Sequence, residues 1–119
     1  MTRVLVIEDD AHSLSGLIEI LSTEGYEVYG ALNSVEAKNI IISRSIDIVI
    51  CDYCLPDTTG LEFCPILRDY QPSVKIFLIT ALYDRKIFDI ARKNGIEEIL
   101  SKPIVIDDLL QKIKHHSMQ

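Results

Sequence analysis

Residues 3–10 of the chain, Arg3-Val-Leu-Val-Ile-Glu-Asp-Asp10, form a continuous apolar run that three acidic residues follow at once. The run is rich in β-branched residues and does not alternate between apolar and polar positions. This pattern is typical of a strand buried on both faces, as in parallel sheets. The segment therefore predicts an interior strand of a parallel sheet, with carboxylates at its carboxyl end.

Four further apolar segments predict strands, and patterns with helical spacing separate them. The later strands are predicted at 27–31, 46–51, 74–79 and, weakly, 97–100. Helices are predicted after each strand, the last three from about 61, over 84–93 and over 107–115. This alternation predicts an α/β fold: a five-stranded parallel sheet with helices on both faces, doubly wound through right-handed crossovers.

Three residues bear on where the helices begin. Asp10 is predicted to be the N-cap of the first helix, and Ser34 the N-cap of the second. Pro65 is tolerated only near the first turn of a helix, which leaves the start of the third helix open.

The chain has 119 residues, 48% of them hydrophobic, and a formal net charge of −6. This length predicts a single domain over residues 1–119. The negative charge argues against direct binding of nucleic acid or of an anionic membrane by this domain. The apolar runs are too short to span a bilayer and the first residues show no secretory pattern, so a cytoplasmic protein is expected.

Three cysteines, Cys51, Cys54 and Cys64, are an odd number that favours reduced thiols over a disulfide framework. Cys51-x-x-Cys54 has the spacing of a metal-binding or redox pair. The chain has no second pair and no nearby histidine, and Cys51 ends an apparent buried strand. Ordinary thiols are therefore the favoured interpretation.

Polar groups follow four of the predicted strands: Glu8-Asp9, Asp52, Thr80 and Lys102-Pro103. In sheets of this class, ligands bind at the carboxyl ends of the strands. Clustered carboxylates favour a hard divalent ion such as Mg²⁺, while a lysine and a hydroxyl can hold an anion. These groups together are suited to phosphoryl transfer to a carboxylate. Each alone has a simpler explanation as a helix cap or a solvated loop residue.

Four motifs carry a resemblance to a known family: Ile7-Glu-Asp-Asp10, Cys51-Asp-Tyr-Cys-Leu-Pro-Asp-Thr-Thr-Gly60, Ile79-Thr-Ala81 and Ser101-Lys-Pro103. Over about residues 3 to 115 the sequence resembles response-regulator receiver domains of two-component signalling systems. The resemblance implies the flavodoxin-like (βα)5 fold of that family. It implies a phosphorylation switch and not an enzyme, apart from catalysis of its own phosphorylation and slow dephosphorylation.

The resemblance also assigns roles. Asp52 matches the phosphoryl acceptor. Mg²⁺ would be bound by Asp9 and Asp52 directly, by Glu8 through water, and by the backbone carbonyl of Cys54. Thr80 matches the switch hydroxyl. Lys102 matches the lysine that pairs with the acceptor and then with the phosphoryl group, and the Lys102–Pro103 peptide bond is cis in this family.

The sequence departs from the family pattern at two places. Ile99 stands where the family commonly has a tyrosine or phenylalanine that moves together with the switch hydroxyl. Val105 stands where many members have an aspartate N-cap, within the apolar run 104–106. Core packing is the favoured interpretation of that run, and a partner surface, such as a phosphorylation-dependent homodimer, is the alternative.

The expected partners are a sensor histidine kinase or a phosphotransfer protein, and an output domain or downstream protein that responds to the last two helices and the fifth strand. The sequence disfavours two alternative functions. A haloacid-dehalogenase-like phosphatase needs a carboxylate two residues after its aspartyl nucleophile, where this chain has Cys54. A degenerate receiver that only binds a partner is disfavoured because every residue that the chemistry needs is present. His12, His115 and His116 are expected to be exposed, and none is placed like a phosphohistidine donor.

Overall fold

The computed structural model describes residues 1–82 and 84–117. In these ranges five strands alternate with five helices. The elements are β1 (Arg3–Ile7), α1 (Ala11–Thr23), β2 (Glu27–Ala31), α2 (Ser34–Ser43), β3 (Ile48–Asp52), α3 (Gly60–Tyr70), β4 (Lys75–Thr80), α4 (Arg85–Lys93), β5 (Glu98–Ser101) and α5 (Ile106–Ser117). None of the helices within these ranges is long and apolar enough to cross a membrane.

The five strands form one parallel sheet with the order β2-β1-β3-β4-β5. The predicted α/β architecture is confirmed, and every predicted strand boundary lies within two residues of the observed one. The chain places β2 on one side of β1 and then adds β3, β4 and β5 in sequence on the other side. The carboxyl ends of β1 and β3, where ligands bind in such sheets, therefore lie side by side.

Two apolar clusters lie on opposite faces of the sheet. The cluster under α1 and α5 includes Leu17 and Leu109, and the cluster under α2, α3 and α4 includes Ile41 and Leu67. Successive residues of a strand enter opposite clusters, because side chains alternate between the faces of a sheet. Burial on both faces is the physical reason for the continuous apolar runs in the sequence.

Helix starts agree only partly with prediction. Asp10 is the N-cap of α1, where its Oδ1 accepts hydrogen bonds from the backbone N–H groups of His12 and Ser13. Ser34 is not the N-cap of α2, since Asn33 takes that place and its Oδ1 accepts from the backbone N–H of Glu36. Both residue types cap well, so sequence alone did not separate them.

The third helix begins at Gly60 with Thr59 as its N-cap, so Pro65 lies inside α3 and beyond its first turn. The ring removes one backbone donor there. Phe63, Cys64 and Leu67 are buried on the face of α3 that contacts the sheet.

Gly60 brings the start of α3 against the end of β3. A Cβ atom at this position would lie 2.5 Å from the backbone oxygen of Asp52, 2.9 Å from Leu78 Cδ1 and 3.1 Å from Cys51 Sγ. Real Cβ atoms do not approach backbone this closely, so only glycine fits without a shift of the helix or the strand. Gly60 thus permits the close approach that positions the residues that follow Asp52.

We expect Gly60→Ala to lower the free energy of unfolding by about 2 kcal/mol, because the added methyl group overpacks the contact between α3 and β3. Gly16→Ala is the matched control. A Cβ at Gly16 meets nothing within 4 Å, and alanine stabilises a helix interior by about 0.5–1 kcal/mol relative to glycine. Urea unfolding followed by circular dichroism measures both changes. Equal effects of the two substitutions would show that the close approach at Gly60 does not matter.

Candidate functional site

The carboxylates predicted to follow β1 and β3 do meet in the folded chain. One carboxylate oxygen from each of Glu8, Asp9 and Asp52 lies within 4.8 Å of the others. Lys102, which follows β5, reaches the same place: its Nζ is 2.5 Å from Asp52 Oδ2 and 3.8 Å from Glu8 Oε1. The structure therefore assembles an acidic cluster with one ammonium group at the carboxyl edge of the sheet.

Both carboxylate oxygens of Asp52 accept hydrogen bonds. Its side chain is largely buried at the end of the central strand β3. Oδ1 accepts a hydrogen bond from the backbone N–H of Cys54 at 3.1 Å, and Oδ2 accepts one from Lys102. These two donors fix the direction in which the carboxylate faces.

Glu8 and Asp9 differ in exposure although they are adjacent in sequence. The Glu8 side chain is buried, and its backbone N–H donates to the carbonyl of Ala31 at the end of β2. Asp9 is exposed, and its backbone N–H donates to Glu8 Oε2 at 3.1 Å. The pair thus presents one buried and one exposed carboxylate to the same space.

Thr80 and Lys102 come from neighbouring strands. The backbone N–H of Lys102 donates to the carbonyl of Thr80 at 2.9 Å, and the Lys102–Pro103 peptide bond is cis, as the resemblance implied. Thr80 is buried at the end of β4, and its Oγ1 accepts a hydrogen bond from the backbone N–H of Leu82 at 3.0 Å. Thr80 therefore links the edge of the site to the segment that leads into α4.

The electrostatics of the cluster show that negative charge is in excess. The pKa of the Glu8 carboxyl is raised to about 7, first by burial and then by the hydrogen bond and charge of Asp52, while Lys102 opposes the shift. Burial alone would lower the pKa of the Lys102 ammonium, but its contact with Asp52 and the nearby acids outweigh burial and raise it. One ammonium group does not balance three carboxylates.

The acidic cluster fits a hard divalent cation. All of its donors are oxygens, and Mg²⁺ prefers a few carboxylates together with retained waters and a phosphate. A bound cation would also offset the charges of Asp52 and Asp9, which add to burial in raising the pKa of Glu8. The donor set is suited to Mg²⁺ next to a carboxylate that accepts a phosphoryl group.

The cysteines do not form a site. Cys51 is buried and contacts Cys64 of α3, whereas Cys54 lies exposed in the loop after β3. The hydrogen bond with Cys64, together with burial, raises the pKa of the Cys51 thiol, so its nucleophilic thiolate form is disfavoured. Cys51 and Cys54 are thus not a side-chain pair, in agreement with the ordinary-thiol interpretation.

The expectation that His116 is exposed is wrong. Its side chain is 10% exposed, Nε2 lies 2.8 Å from Glu98 Oε2, and the ring packs edge-to-face on Phe77 with centroids 5.2 Å apart. α5 continues to Ser117, which places His116 on the same helix face as the buried Leu109 and Ile113. This i, i+4, i+7 spacing was visible in the sequence. His12 and His115 are exposed as predicted.

The apolar positions after β4 are divided between the core and the surface. Ile99 is partly buried and packs against the cluster under α2, α3 and α4. Ile104 and Ile106 pack against the opposite cluster, which supports the core interpretation for two of the three residues. Val105 is exposed, as is Leu82 in the segment before α4.

Comparison with known proteins gives the family. Residues 4–114 match the response regulator receiver domain family. The chain is 31% identical over 112 residues to the response regulator MprA of Mycobacterium avium, an alignment that covers 94% of this chain and 49% of that protein. The chain therefore spans about half the length of this curated relative. It belongs to the response regulator receiver domain family.

Solved structures have the same fold. A CheY-like receiver domain protein from Methanospirillum hungatei aligns with a TM-score of 0.91 and 29% identity, covering 97% of this chain and 92% of that one. A response regulator from Burkholderia pseudomallei, described with a phosphorylated aspartic acid, a calcium ion and citrate, aligns with a TM-score of 0.86 and 27% identity, covering 92% and 65%. Phosphoacceptor signalling is the general function of this family, and its members are signalling domains rather than conventional enzymes.

The raised pKa of Glu8 predicts a pH-dependent stability in metal-free buffer. Between its ordinary pKa of 4.5 and about 7, the folded state holds a proton that the unfolded state releases, so stability falls as pH rises through this range. Glu8→Gln removes the titration. With EDTA present, the variant should exceed the wild type in free energy of unfolding by about 2 kcal/mol at pH 8, and by much less at pH 5.

Chemical denaturation at the two pH values measures this difference. Glu19→Gln, the same change at an exposed position of α1, serves as the control and should alter stability little at either pH. A Glu8→Gln variant with the same relative stability at pH 5 and pH 8 would contradict the electrostatic description of the cluster.

Proposed function

We propose that Asp52 is the phosphoryl acceptor of this chain, acting as a single receiver domain over residues 1–119. The donor would be the phosphohistidine of a sensor kinase or a phosphotransfer protein. One observation supports this most directly: the Asp52 carboxylate lies close to both the acidic pair of the β1–α1 loop and the Lys102 ammonium. The aspartyl phosphate described in the Burkholderia pseudomallei neighbour lends support by similarity.

The transfer step follows from how Asp52 is held. An oxygen of its carboxylate attacks the phosphorus atom, an O–P bond forms as the P–N bond of phosphohistidine breaks, and the electron pair of that bond leaves with the imidazole. Lys102 and the backbone N–H of Cys54 orient the carboxylate for this attack. The Lys102 ammonium then pairs with a phosphoryl oxygen and stabilises its charge.

Four groups would hold the metal ion: the carboxylates of Asp9 and Asp52, Glu8 through water, and the backbone carbonyl of Cys54. Bound there, Mg²⁺ supplies positive charge against the phosphoryl oxygens. A cation at this place would also offset the charges of Asp9 and Asp52, which add to burial in raising the pKa of Glu8.

The switch that we propose runs through Thr80. Its hydroxyl, which now accepts from Leu82, would donate to a phosphoryl oxygen, and the segment before α4 would shift with it. Ile99 has no ring to move with Thr80, so the readout would depend on that segment and on the surface of α4, β5 and α5. An output domain or downstream protein would bind this surface, and a phosphorylation-dependent homodimer through it stays a prediction.

Two further parts of the proposal rest on composition. Three thiols suit a reducing compartment, so we place the function in the cytoplasm. The net charge of −6 makes direct binding of nucleic acid or anionic membranes by this domain unfavourable.

The acceptor assignment predicts that Asp52→Asn abolishes the adduct that the wild type forms with acetyl phosphate and Mg²⁺, because an amide oxygen is a poor nucleophile. Asp10→Asn is the matched control, since an asparagine still caps α1 and the variant should be labelled like the wild type. Intact-mass spectrometry detects the adduct. Labelling of Asp52→Asn at the wild-type level would sink the assignment.

Two side chains beside the acceptor predict slow dephosphorylation. Hydrolysis needs a water placed in line with the phosphorus atom. Cys54 and Leu82, each two residues after a site residue, are exposed and flank the approach in this family. A thiol is a weak hydrogen-bonding group and leucine offers none, so neither orients a water.

We therefore expect the double variant Cys54→Asn with Leu82→Glu to lose its phosphoryl group about tenfold faster than the wild type, a change of about 1.4 kcal/mol in the barrier. The decay of phosphorylated protein after removal of the donor measures the rate. Leu82→Ile, which keeps an apolar side chain, is the control. A double variant that decays no faster than the wild type refutes the water-access argument.

A further inference from the structure

Two segments that are distant in sequence supply the proposed Mg²⁺ ligands. Glu8 and Asp9 follow β1, whereas the Cys54 carbonyl belongs to the loop 53–59 after β3. Mg²⁺ demands near-ideal octahedral geometry with ligands at about 2.0–2.1 Å, so small relative movements of the two segments weaken binding. Hydrogen bonds between Ser34 and Asp57 oppose such movement.

The loop after β3 is stiffened from within. The backbone N–H of Leu55 donates to the carbonyl of Thr58 at 3.1 Å, and that of Gly60 donates to the carbonyl of Tyr53 at 2.7 Å. Cys54 and Thr59 form an antiparallel bridge across the loop. These bonds leave Asp57 at the outer end of the loop, three residues after Cys54.

Asp57 joins this loop to the start of α2. The Oγ of Ser34 donates to Asp57 Oδ2, and the Ser34 backbone N–H lies 3.4 Å from Oδ1. The hydrogen bond from Ser34 lowers the pKa of the Asp57 carboxyl, so Asp57 is ionised at neutral pH. The carboxylate also faces the amino end of α2, where the helix dipole favours negative charge.

Ser34, the other partner of the hydrogen bond with Asp57, follows a turn that is held by hydrogen bonds of its own. Asn33 caps α2, and Glu36 Oε1 accepts from the backbone N–H of Leu32 at 2.8 Å. One residue earlier, the carbonyl of Ala31 accepts from the backbone N–H of Glu8 at 3.0 Å. The turn from Ala31 to Ser34 is therefore fixed to the segment that carries the acidic pair.

These contacts form a continuous path from Glu8 through Ala31, Ser34 and Asp57 to Cys54. We propose that Asp57 and Ser34 are positioning residues that hold the Cys54 carbonyl in register with Glu8 and Asp9 for Mg²⁺. The inference rests on the metal site of the proposed function and adds two residues to it. Neither residue contacts the ion, so their effect is on the geometry of the ligands.

The first test is Mg²⁺ affinity, measured by isothermal titration calorimetry with magnesium chloride on the full chain. Ser34→Ala, Asp57→Ala and the double variant should each weaken affinity by about three- to tenfold. This loss is smaller than the roughly 10–100-fold cost of removing a group that bonds directly to a ligand. The double variant should be no weaker than the worse single variant, because all three changes remove the same bond.

Conservative variants separate geometry from charge. Ser34→Thr retains the hydroxyl donor and Asp57→Asn retains an acceptor, so both should bind Mg²⁺ within about twofold of the wild type at high salt, where long-range charge is screened. Asp69→Ala is the matched control. It removes one exposed aspartate near the far end of α3 and should leave affinity unchanged.

The second test separates positioning from general destabilisation. The Mg²⁺ concentration for half-maximal phosphorylation by acetyl phosphate should rise in Ser34→Ala and Asp57→Ala, while the rate at saturating Mg²⁺ stays at the wild-type level. The melting temperature in EDTA reports folding separately. If the rate at saturating Mg²⁺ falls in proportion to the loss of folded protein, the positioning role is overturned. If Asp57→Ala does not fold, the comparison of Ser34→Ala with Ser34→Thr tests the positioning role instead.

Asp9→Ala distinguishes failure of the positioning role from failure of the proposed metal site. Wild-type affinity in Ser34→Ala and Asp57→Ala, with loss of binding in Asp9→Ala, would overturn the positioning role and leave the metal site in place. Wild-type affinity in Asp9→Ala would overturn the metal site and the positioning role together.

Discussion

Repulsion among the carboxylates at the ends of β1 and β3 is the constraint on which the site depends. Glu8, Asp9 and Asp52 lie within 4.8 Å of one another, and Lys102 is the cation that contacts this cluster within the described residues. Burial, followed by the hydrogen bond and charge of Asp52, raises the pKa of Glu8. The proposed binding of a cation and of a phosphoryl group would both change the charge balance of this cluster.

The fold can hold these carboxylates in a largely buried place because apolar clusters pack on both faces of the sheet. The central strand β3 is buried along its whole length, and two packed clusters hold it in place. At the carboxyl edge of the sheet, the backbone N–H of Cys54 and the ammonium of Lys102 fix the direction of the Asp52 carboxylate. A rigid sheet with polar loops at one edge lets the loops carry chemistry without loosening the core.

Local patterns predicted much of this arrangement, and their failures have specific causes. Continuous apolar runs located the strands because burial on both faces leaves no room for polar residues. The prediction of Ser34 as the N-cap of α2 was wrong because the neighbouring Asn33 suits the position equally, and only backbone geometry selects one. The burial of His116 was missed because a position near the C-terminus favours exposure, whereas the helical spacing of α5 places this residue on its inner face.

The sequence by itself determined the order of strands and helices and the chemical groups at the ends of the strands, because these depend on local periodicity. The tertiary structure brings these groups into contact, and local periodicity says nothing about such contacts. The contact of Lys102 with Asp52 spans 50 residues, and that of Ser34 with Asp57 spans 23. Such contacts depend on strand order and on how helices pack against the sheet, and both follow from the collective burial of apolar surface rather than from any single segment.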